Sequence, residues 1–344
     1  MKIIIAIDSL KGCLSSAEAG RAAAEGIQAR WPKAEVVYLP VSDGGEGWID
    51  AVDHGQWETM MTVVNDPLLR PVRAKYLLAG ETAVIEIAQA CGLHLLRPEE
   101  RNPLRASSRG VGDLIIDAIR RGARKLIVGL GGSAVSDAGR GMVERIKSEH
   151  LEKAHFMIAT DVTNPLYGPN GAAVVFGPQK GATPAMVEEL DHRAHTYAEE
   201  NARRMGFDRS CEAGAGAAGG LGYAFMQFFD AERRSGAELL LELIHFDELI
   251  RDADFIMTGE GRADRQTLMG KLPAVILHHA QCANIPCHLL AGDVQDEASL
   301  LAAGFASVRS INPPDLPLQE ALRPEVAQEN IRTTVACMAV QEED

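Results

Sequence analysis

An alternation of apolar runs and amphipathic stretches opens the chain. Residues 3–7 form a continuous apolar run, which predicts a strand covered on both faces. Ser15 and Glu18 have the spacing of a capping box, and small apolar residues follow them at helical intervals as far as Ile27. Pro32 ends this helix, and residues 35–40 supply a second strand. The opening therefore predicts a β-α-β unit.

The pattern changes after about residue 57. Short apolar stretches separated by turn residues indicate antiparallel strands at 62–64, 74–77 and 82–85. Apolar residues then recur at helical spacing over 111–119, and this helix leads to a strand at 125–130.

The last third of the chain returns to regular alternation. Strands are predicted at 254–258, 287–291 and 306–311, with a helix at 274–282. Such alternation is typical of a parallel, doubly wound sheet. We therefore expect an α/β protein of two domains. The first is a discontinuous Rossmann-like domain with a parallel sheet (residues 1–62 plus 250–344), and the second is a mixed α/β domain (residues 63–249).

Composition and charge narrow the class of protein. The chain has 344 residues, of which 46% are hydrophobic, and this is enough for two separate cores. Its net charge of -14, with no basic face visible, predicts that nucleic acid is not a partner. The apolar run at the start is too short for a signal peptide or a membrane span, and the six cysteines form no Cys-x-x-Cys pair. We therefore expect a cytoplasmic protein with reduced thiols and no membrane partner.

Four polar or glycine-rich sequences directly follow predicted strands. They are D-S-L-K-G (8–12), S-D-G-G-E-G (42–47), G-L-G-G-S-A (129–134) and T-G-E-G-R-A-D (258–264). In open α/β sheets, ligands bind at the carboxyl ends of the strands, and glycines let backbone N–H groups approach phosphate oxygens closely. Any one of these sequences also fits an ordinary tight turn. The three acidic loops together favour a ligand site.

Two common nucleotide-binding patterns are excluded. Residues 214–219 match Gly-x-Gly-x-x-Gly, but no apolar strand precedes them, so they do not form a dinucleotide fingerprint. Gly270 and Lys271 lack both the earlier glycine and the following Ser or Thr of a Walker motif. Any use of ATP must therefore proceed without a P-loop.

Motifs along nearly the whole chain resemble those of the bacterial type-I glycerate kinases. In order, they are D-S-L-K-G-C-L-S (8–15), D-G-G-E-G (43–47), R-N-P (101–103), G-L-G-G-S-A (129–134), V-F-G-P-Q-K-G-A (175–182), G-A-G-A-A-G-G-L-G (214–222) and T-G-E-G-R-A-D-R-Q-T followed by G-K (258–271). The resemblance implies a two-domain α/β kinase with its active site in the cleft between the domains.

The resemblance also implies the reaction. A kinase of this family transfers the γ-phosphoryl group of ATP to D-glycerate with Mg²⁺, and 2-phosphoglycerate is the favoured product. Two alternatives stay open at this point. One is a catalytically impaired member that acts as a ligand-binding protein, and the other is a kinase of a related small hydroxy acid. The sequence is compatible with a monomer or a homodimer.

The chain departs from the family pattern between Met142 and Asp161, where the family carries a longer segment. Ser136 also stands where the family usually has Asn. Because the acidic loops lie outside this stretch, we expect the loss to trim a peripheral part of the second domain.

Phosphoryl transfer requires charge neutralisation, a grip on the substrate and a proton acceptor. Carried onto this chain, the resemblance and these needs give the following expected site residues. The catalytic candidates are Asp43, Asp264, Asp161 and Lys11, with the base left open among the three aspartates. The substrate-binding residues are Arg262, Arg70 and Ser9. The nucleotide or phosphate-binding residues are Gly44, Gly45, Gly131, Gly132, Ser133, Gly216, Gly219 and Lys271. The metal ligands are Glu260 and Glu46.

Overall fold

The structure, a computed structural model, describes residues 1–42, 44–45, 47–149 and 153–338. Two of the expected site residues, Asp43 and Glu46, lie outside the described residues. Helices and strands alternate through most of the chain, which confirms the predicted α/β class.

The elements are numbered in chain order. The strands are β1 (Lys2–Ile7), β2 (Glu35–Tyr38), β3 (Glu58–Asn65), β4 (Pro71–Ala79), β5 (Thr82–Glu86), β6 (Lys125–Gly129), β7 (His155–Ala159), β8 (Glu232–Arg234), β9 (Phe255–Ala263), β10 (Cys287–Val294) and β11 (Ser307–Ser310). The α-helices are α1 (Ser16–Arg30), α2 (Trp48–Val52), α3 (Ala88–Cys91), α4 (Arg109–Arg120), α5 (Arg140–Lys147), α6 (Ala172–Phe176), α7 (Pro184–Met205), α8 (Ala217–Phe229), α9 (Gly236–Leu243), α10 (Phe246–Ile250), α11 (Leu272–Cys282), α12 (Glu297–Ala303), α13 (Leu318–Ala321) and α14 (Pro324–Ala336). Short 3₁₀ helices lie at Leu93–Leu95, Pro98–Glu100 and Pro178–Lys180. None of the helices within the described ranges is both long enough and apolar enough to cross a membrane.

The chain divides into two compact units. The terminal unit comprises Met1–Asp43 and Leu240–Asp344, and the middle unit comprises Gly44–Leu239. These limits differ from the predicted ones, which lay at 62/63 and 249/250. The predicted limit at 62/63 would cut through β3, whereas β3 pairs with β4 along its whole length and so belongs to the middle sheet.

The terminal unit contains a five-stranded parallel sheet in the order β11-β10-β9-β1-β2. Ile3, Ile4 and Ile5 are all fully buried, as expected for a strand covered on both faces. Numbered within the unit, the strands follow the order 2-1-3-4-5 of a doubly wound fold. The direction of winding reverses between β1 and β9, and in such folds ligands bind at the carboxyl ends of the strands beside this reversal.

Helix α1 begins as its sequence predicted. Ser15 Oγ accepts the Glu18 N–H at 3.3 Å, and Glu18 Oε2 accepts the Ser15 N–H at 2.9 Å, which forms the capping box. The helix packs on α14 at Gly26, where a Cβ would lie only 2.7 Å from the Arg332 carbonyl oxygen. A glycine is needed there because the two helix backbones approach so closely.

One predicted loop is a strand. The sequence placed T-G-E-G-R-A-D (258–264) in a glycine-rich loop, but β9 continues through Ala263 and pairs with β10 up to Val294. A Cβ on Gly259 would lie 2.5 Å from the Leu290 carbonyl oxygen, so this glycine permits close strand packing. Gly259 and Gly261 therefore do not supply the positive φ that the loop interpretation required.

The middle unit contains a six-stranded sheet in the order β3-β4-β5-β6-β7-β8. β3, β4 and β5 pair antiparallel, as predicted, and β5 to β8 pair parallel. Helix α4 covers the sheet with a fully buried apolar face that includes Val111, Leu114 and Ile115. The parallel strands all end at one edge, where Glu86, Gly129 and Ala159 are neighbours.

Candidate functional site

Glu260 lies in the terminal unit on β9, next to the reversal point of the sheet. It is 7% exposed and belongs to an apolar recess whose other lining residues include Ile7, Leu10 and Leu290. Both of its carboxylate oxygens have donors: Oε1 accepts from the Thr267 hydroxyl at 2.6 Å, and Oε2 lies 2.9 Å from Lys271 Nζ. In this arrangement Glu260 joins β9 to the start of α11.

Lys271 occupies the N-cap position of α11, and its side chain is half-exposed. An ammonium group has three N–H donors. Glu260 engages one of them, so Lys271 retains donors for a phosphate or carboxylate oxygen. The salt bridge fixes the position of the ammonium group beside the strand end.

Arg262 and Asp264 follow Glu260 along the chain, at the carboxyl end of β9. Arg262 Nε is 3.7 Å from Asp264 Oδ2 and 3.6 Å from Asp293 Oδ2 on β10. The Arg262 side chain is 63% exposed, so both ion pairs are loose and solvated. Asp264 Oδ1 accepts the Gln266 N–H at 2.7 Å. The structure thus brings Glu260, Arg262, Asp264 and Lys271 together at one strand end.

The loop after β1 lies at the neighbouring strand end of the terminal unit. The Asp8 N–H donates to the Gly259 carbonyl at 2.9 Å, which joins this loop to β9. Asp8 Oδ1 accepts the Ser9 N–H at 2.7 Å, and Lys11 is exposed. Ser9 and Lys11 therefore follow a strand, as the sequence predicted, and the structure pairs that strand with the one that carries Glu260.

In the middle unit, two of the glycine-rich sequences touch through their backbones. A Cβ on Gly131 would lie 2.2 Å from Gly45 Cα and 2.7 Å from the Gly44 carbonyl oxygen. No side chain fits at position 131 unless this contact opens. The structure therefore places Gly44, Gly45 and Gly131 at the same edge of the middle sheet.

Glu86 is a residue of this edge that the sequence did not reveal. It is 1% exposed at the end of β5, and its carboxylate accepts the Gly47 N–H at 3.3 Å and the Ile49 N–H at 3.2 Å. A carboxylate at the first N–H groups of α2 satisfies donors that the helix itself leaves unpaired. Glu86 thereby fixes the end of the glycine-rich sequence at 44–47.

The loop between β6 and α5, residues 130–139, is held by two buried charges that the sequence also did not reveal. Lys180 is 2% exposed and donates to Ser133 Oγ at 3.0 Å and to the Val135 carbonyl at 2.6 Å. Asp137 accepts from the Ser108 N–H, the Ser108 hydroxyl and two further backbone N–H groups. Burial raises the pKa of Asp137 and lowers the pKa of Lys180 to about 8. The Lys180 ammonium group thus holds the Ser133 side chain and the backbone two residues further on.

Gly216 and Gly219 lie where α8 begins with a kink. Ala218, Gly219 and Gly220 have left-handed backbone angles inside this helix. A Cβ on Gly219 would lie 2.0 Å from the Val135 carbonyl oxygen, and one on Gly216 would lie 2.3 Å from the Pro165 carbonyl oxygen. Both glycines pack backbone against backbone, and Gly219 contacts the 130–139 loop at Val135 and Ser136.

Arg70 and Asp161 also belong to the middle unit, and Asp161 follows β7 at the edge where a Cβ on Gly44 would lie 3.1 Å from the Ala159 carbonyl oxygen. Arg70 is bound to Asp66 at 2.6 Å and to Glu100 at 2.8 Å, so its guanidinium group is committed to two carboxylates. Asp161 is exposed just beyond β7, and its Oδ1 accepts the Gly236 N–H at 3.3 Å. The substrate role expected for Arg70 requires that it exchange existing partners for the ligand.

The residues that the structure describes contain no complete donor set for a metal ion. Within the described ranges, no group of three or more His, Cys, Asp or Glu residues is placed to hold a metal. The expected ligand Glu260 already accepts from Thr267 and Lys271. The described residues therefore do not by themselves form a site that fits Mg²⁺.

Polar groups at the carboxyl ends of parallel strands, in each of two α/β units, place the protein in the class of α/β proteins that bind ligands at strand ends. Comparison with known proteins then identifies the family. The model of the glycerate kinase family matches residues 3–153 and 145–341. The chain belongs to the glycerate kinase family.

Individual relatives agree with this assignment. The glycerate kinase of Bacillus subtilis (strain 168) is 38% identical over 354 aligned positions, which cover 93% of this chain and 93% of that protein. The glycerate 2-kinase of Escherichia coli (strain K12) is 37% identical over 356 positions, covering 94% and 93%. A crystal structure from Salmonella typhimurium LT2, assigned as glycerate kinase 2, superposes with a TM-score of 0.77 at 38% identity and covers 98% of this chain and 96% of its own. The resemblance to the glycerate kinases that the motifs indicated is confirmed, and so is the prediction that the protein is a glycerate kinase.

The comparisons also bear on the shortened segment. An alignment of 354 positions is longer than the chain, so it includes positions that the chain lacks. The two family matches meet at residues 145–153, within the stretch from Met142 to Asp161. The missing positions are therefore consistent with the shortening seen in the motif pattern.

Proposed function

We propose that this protein transfers the γ-phosphoryl group of ATP to D-glycerate in a reaction that uses Mg²⁺, and that 2-phosphoglycerate is the product. The observation that carries the proposal is the family match from residue 3 to residue 341, with relatives called glycerate kinase and glycerate 2-kinase that align over 93% of their own length. Membership of a kinase family implies a nucleotide and a small-molecule acceptor. The use of ATP, the use of Mg²⁺ and the choice of the reacting hydroxyl go beyond family membership and are part of the proposal.

The terminal unit supplies the residues best suited to the acceptor. We assign Arg262 to the glycerate carboxylate, because a guanidinium group can bind a carboxylate through two parallel hydrogen bonds. Its present partners are 3.6 and 3.7 Å away, so it can turn to a ligand at little cost. Ser9 follows the adjacent strand and is assigned a supporting contact.

Asp264 is the proposed base. Its Oδ1 accepts a backbone N–H, whereas among the described residues its Oδ2 has only the loose ion pair with Arg262. That oxygen remains available to accept the proton of a substrate hydroxyl beside the arginine. Asp161 and Asp43 stay as alternatives for this role.

Lys11 and Lys271 are assigned to phosphate oxygens as compact positive charges. Gly44, Gly45, Gly131, Gly132, Ser133, Gly216 and Gly219 are assigned to the phosphate side on the same expectation. Mg²⁺, when bound with the nucleotide, neutralises phosphate charge. The described residues lack a complete donor set for it.

A steady-state assay of ADP release tests the proposal. The assay compares D-glycerate with L-glycerate, glycolate, lactate and tartrate, and omits ATP or Mg²⁺ in turn. We expect turnover only with D-glycerate, ATP and Mg²⁺, and a loss of about a hundredfold in Asp264→Asn. Asp315→Asn is the matched control, because Asp315 lies on the exposed loop before α13.

The possible failures of this assay are distinct. Preference for another hydroxy acid would contradict D-glycerate as the substrate but not the proposed kinase activity. Binding of glycerate and ATP without turnover in folded protein would favour a ligand-binding family member. Cytoplasmic localisation and the choice between monomer and homodimer stay predictions of the sequence.

A further inference from the structure

Lys180 is the buried charge that the proposed reaction leaves without a role. It belongs to the short 3₁₀ helix Pro178–Lys180, and its side chain is 2% exposed. Gly181 follows it with a φ of +88° and packs against the Arg101 backbone. The side chain thus projects from a rigid turn into the interior of the middle unit.

Burying an ammonium group is costly unless its donors find acceptors. Lys180 has two acceptors, Ser133 Oγ and the Val135 carbonyl oxygen, and both belong to the 130–139 loop. Neither acceptor carries a negative charge. A methionine of similar volume would fill the same space without this cost, so the ammonium group must act on the loop.

The contact with Lys180 determines what Ser133 can do. A serine hydroxyl has one proton to donate and two lone pairs to accept with. Lys180 donates to the oxygen, so the Ser133 proton must point away from the ammonium group. Within the described ranges, that proton meets no acceptor. The hydroxyl is also polarised by the adjacent positive charge, which makes it a stronger donor.

The backbone on either side of Ser133 is also held in place. The loop that carries it is tied to Cys91 and Leu93 by backbone hydrogen bonds of 2.8 Å. Gly131, two residues earlier, touches Gly45. A fixed, polarised donor at the carboxyl edge of a parallel sheet suits an oxygen that carries negative charge.

We infer that Lys180 is a positioning residue, which directs the Ser133 hydroxyl toward an anionic oxygen of a bound phosphoryl or carboxylate group. The inference rests on the proposed function for the identity of the ligands, but the link between Lys180 and Ser133 rests on contacts within the middle unit. Lys180 acts through Ser133 and need not touch the ligand.

A double-mutant cycle tests the link. Ser133→Ala, Lys180→Met and the double variant are compared with wild type by kcat and by KM for ATP and for D-glycerate. Loss of a hydrogen bond to a charged group predicts a fall in kcat/KM of about thirtyfold for each single variant. Because both changes remove one interaction, the double variant should fall no more than about twofold below Lys180→Met. Losses that multiply would overturn the inference.

The two KM values identify the source of the anionic oxygen. A rise in KM confined to ATP assigns Ser133 to a phosphoryl group, and a rise confined to D-glycerate assigns it to the carboxylate. Unchanged kcat and KM in Ser133→Ala would contradict both. Lys147→Met is the control, because Lys147 is exposed in the same unit and its ammonium group lies over the Phe228 ring. It should retain wild-type kinetics.

The pH profile gives a second readout that a purely structural lysine would not affect. The titratable groups that face Lys180 are Asp137 and Cys91, and burial raises the pKa of the Cys91 thiol, so the thiol stays neutral in the pH range of this profile. Burial lowers the pKa of Lys180 to about 8, so its charge is present below that pH and is lost as pH rises through it. Wild-type kcat/KM should fall above about pH 8, and Ser133→Ala, which keeps the lysine, should lack this fall. An identical fall in both proteins would refute the inference, even if Lys180→Met does not fold.

Binding measurements separate this inference from the proposed function. Titration calorimetry of wild type and Ser133→Ala uses inorganic tripolyphosphate and D-glycerate at pH 7 and pH 9. Weaker binding of one probe at pH 9 in wild type alone supports the role of Lys180, whether or not turnover occurs. Equal pH dependence in both proteins contradicts it. Absence of glycerate-dependent turnover in wild type contradicts the proposed function alone.

Discussion

Replacement of Thr267 by valine should loosen the end of β9 that carries the proposed acceptor residues. Thr267 is fully buried, and its hydroxyl makes two hydrogen bonds. It donates to Glu260 Oε1 at 2.6 Å and accepts the Asp264 N–H at 3.0 Å. Valine has nearly the same shape, so the change removes the hydrogen bonds without creating a cavity.

The magnitude follows from those two bonds. A hydrogen bond to a charged group contributes about 1.5–3 kcal/mol, and an unpaired buried N–H costs about 1 kcal/mol or more. We therefore expect a local loss of about 3 kcal/mol in Thr267→Val. Thr267→Ser keeps the hydroxyl and loses one methyl group, which costs about 1 kcal/mol. The difference of about 2 kcal/mol corresponds to about a thirtyfold change in an opening equilibrium.

Hydrogen exchange read by mass spectrometry on peptides that cover 255–271 measures this opening directly. Exchange is preferable to a single unfolding curve, because a chain of two compact units need not unfold in one transition. Amide protection in β9 should fall about thirtyfold further in Thr267→Val than in Thr267→Ser. Protection that agrees within twofold in the two variants would show that the Glu260–Thr267 contact does not hold this segment.

Three further predictions concern single side chains. Arg262→Lys should raise the KM for D-glycerate about tenfold or more with little change for ATP, since lysine cannot form a two-bonded fork with a carboxylate; a rise in the KM for ATP alone would move Arg262 to the nucleotide. Glu86→Ala should lower stability by about 1–3 kcal/mol and speed proteolysis near 44–47, because one buried and one partly buried backbone N–H group lose their acceptor, whereas Glu86→Gln should lose less. Equal stability of Glu86→Ala and wild type would refute this role. Hydrogen bonds from Arg97, and then from Arg70, lower the pKa of Glu100 to about 2. The stability that Glu100 adds is therefore present above the ordinary carboxyl pKa and is lost as pH falls toward 2. The urea midpoints of wild type and Glu100→Gln should converge from pH 6 to pH 2, and a constant difference between them would contradict this linkage.

Local signals in the sequence were sufficient for much of the fold. The capping box at Ser15 and Glu18 depends only on residues three apart, and it forms as predicted. The apolar run at 3–7 predicted a strand buried on both faces because no polar position interrupts it. The antiparallel pairing of β3 to β5 followed from short strands and close turns.

The sequence misled where a glycine has more than one physical use. Gly259 and Gly261 indicated a phosphate-binding loop, yet they lie in the strand β9. At Gly259 the reason is the approach of the Leu290 backbone, which belongs to a strand distant in sequence. No local pattern distinguishes a glycine needed for φ from one needed for space.

Partners across long separations were also invisible. Lys180 and Ser133 are 47 residues apart, and Arg70 and Glu100 are 30 apart. Lysine in V-F-G-P-Q-K-G-A gave no sign of burial, because its neighbours are polar or glycine. The motif resembles the family pattern, but that resemblance does not indicate what the lysine side chain contacts.

The product formed from D-glycerate and ATP tests the central proposal most directly. Phosphorus NMR of the reaction mixture, recorded without proton decoupling, identifies both the reaction and the hydroxyl that reacts. Phosphorylation at carbon 2 places one proton on the ester carbon, so we predict a new phosphate-ester doublet that appears with equal loss of ATP. A triplet would place the phosphate on the terminal carbon and contradict the 2-phospho product. No new ester signal with folded protein, ATP, Mg²⁺ and D-glycerate would contradict glycerate kinase activity in this chain.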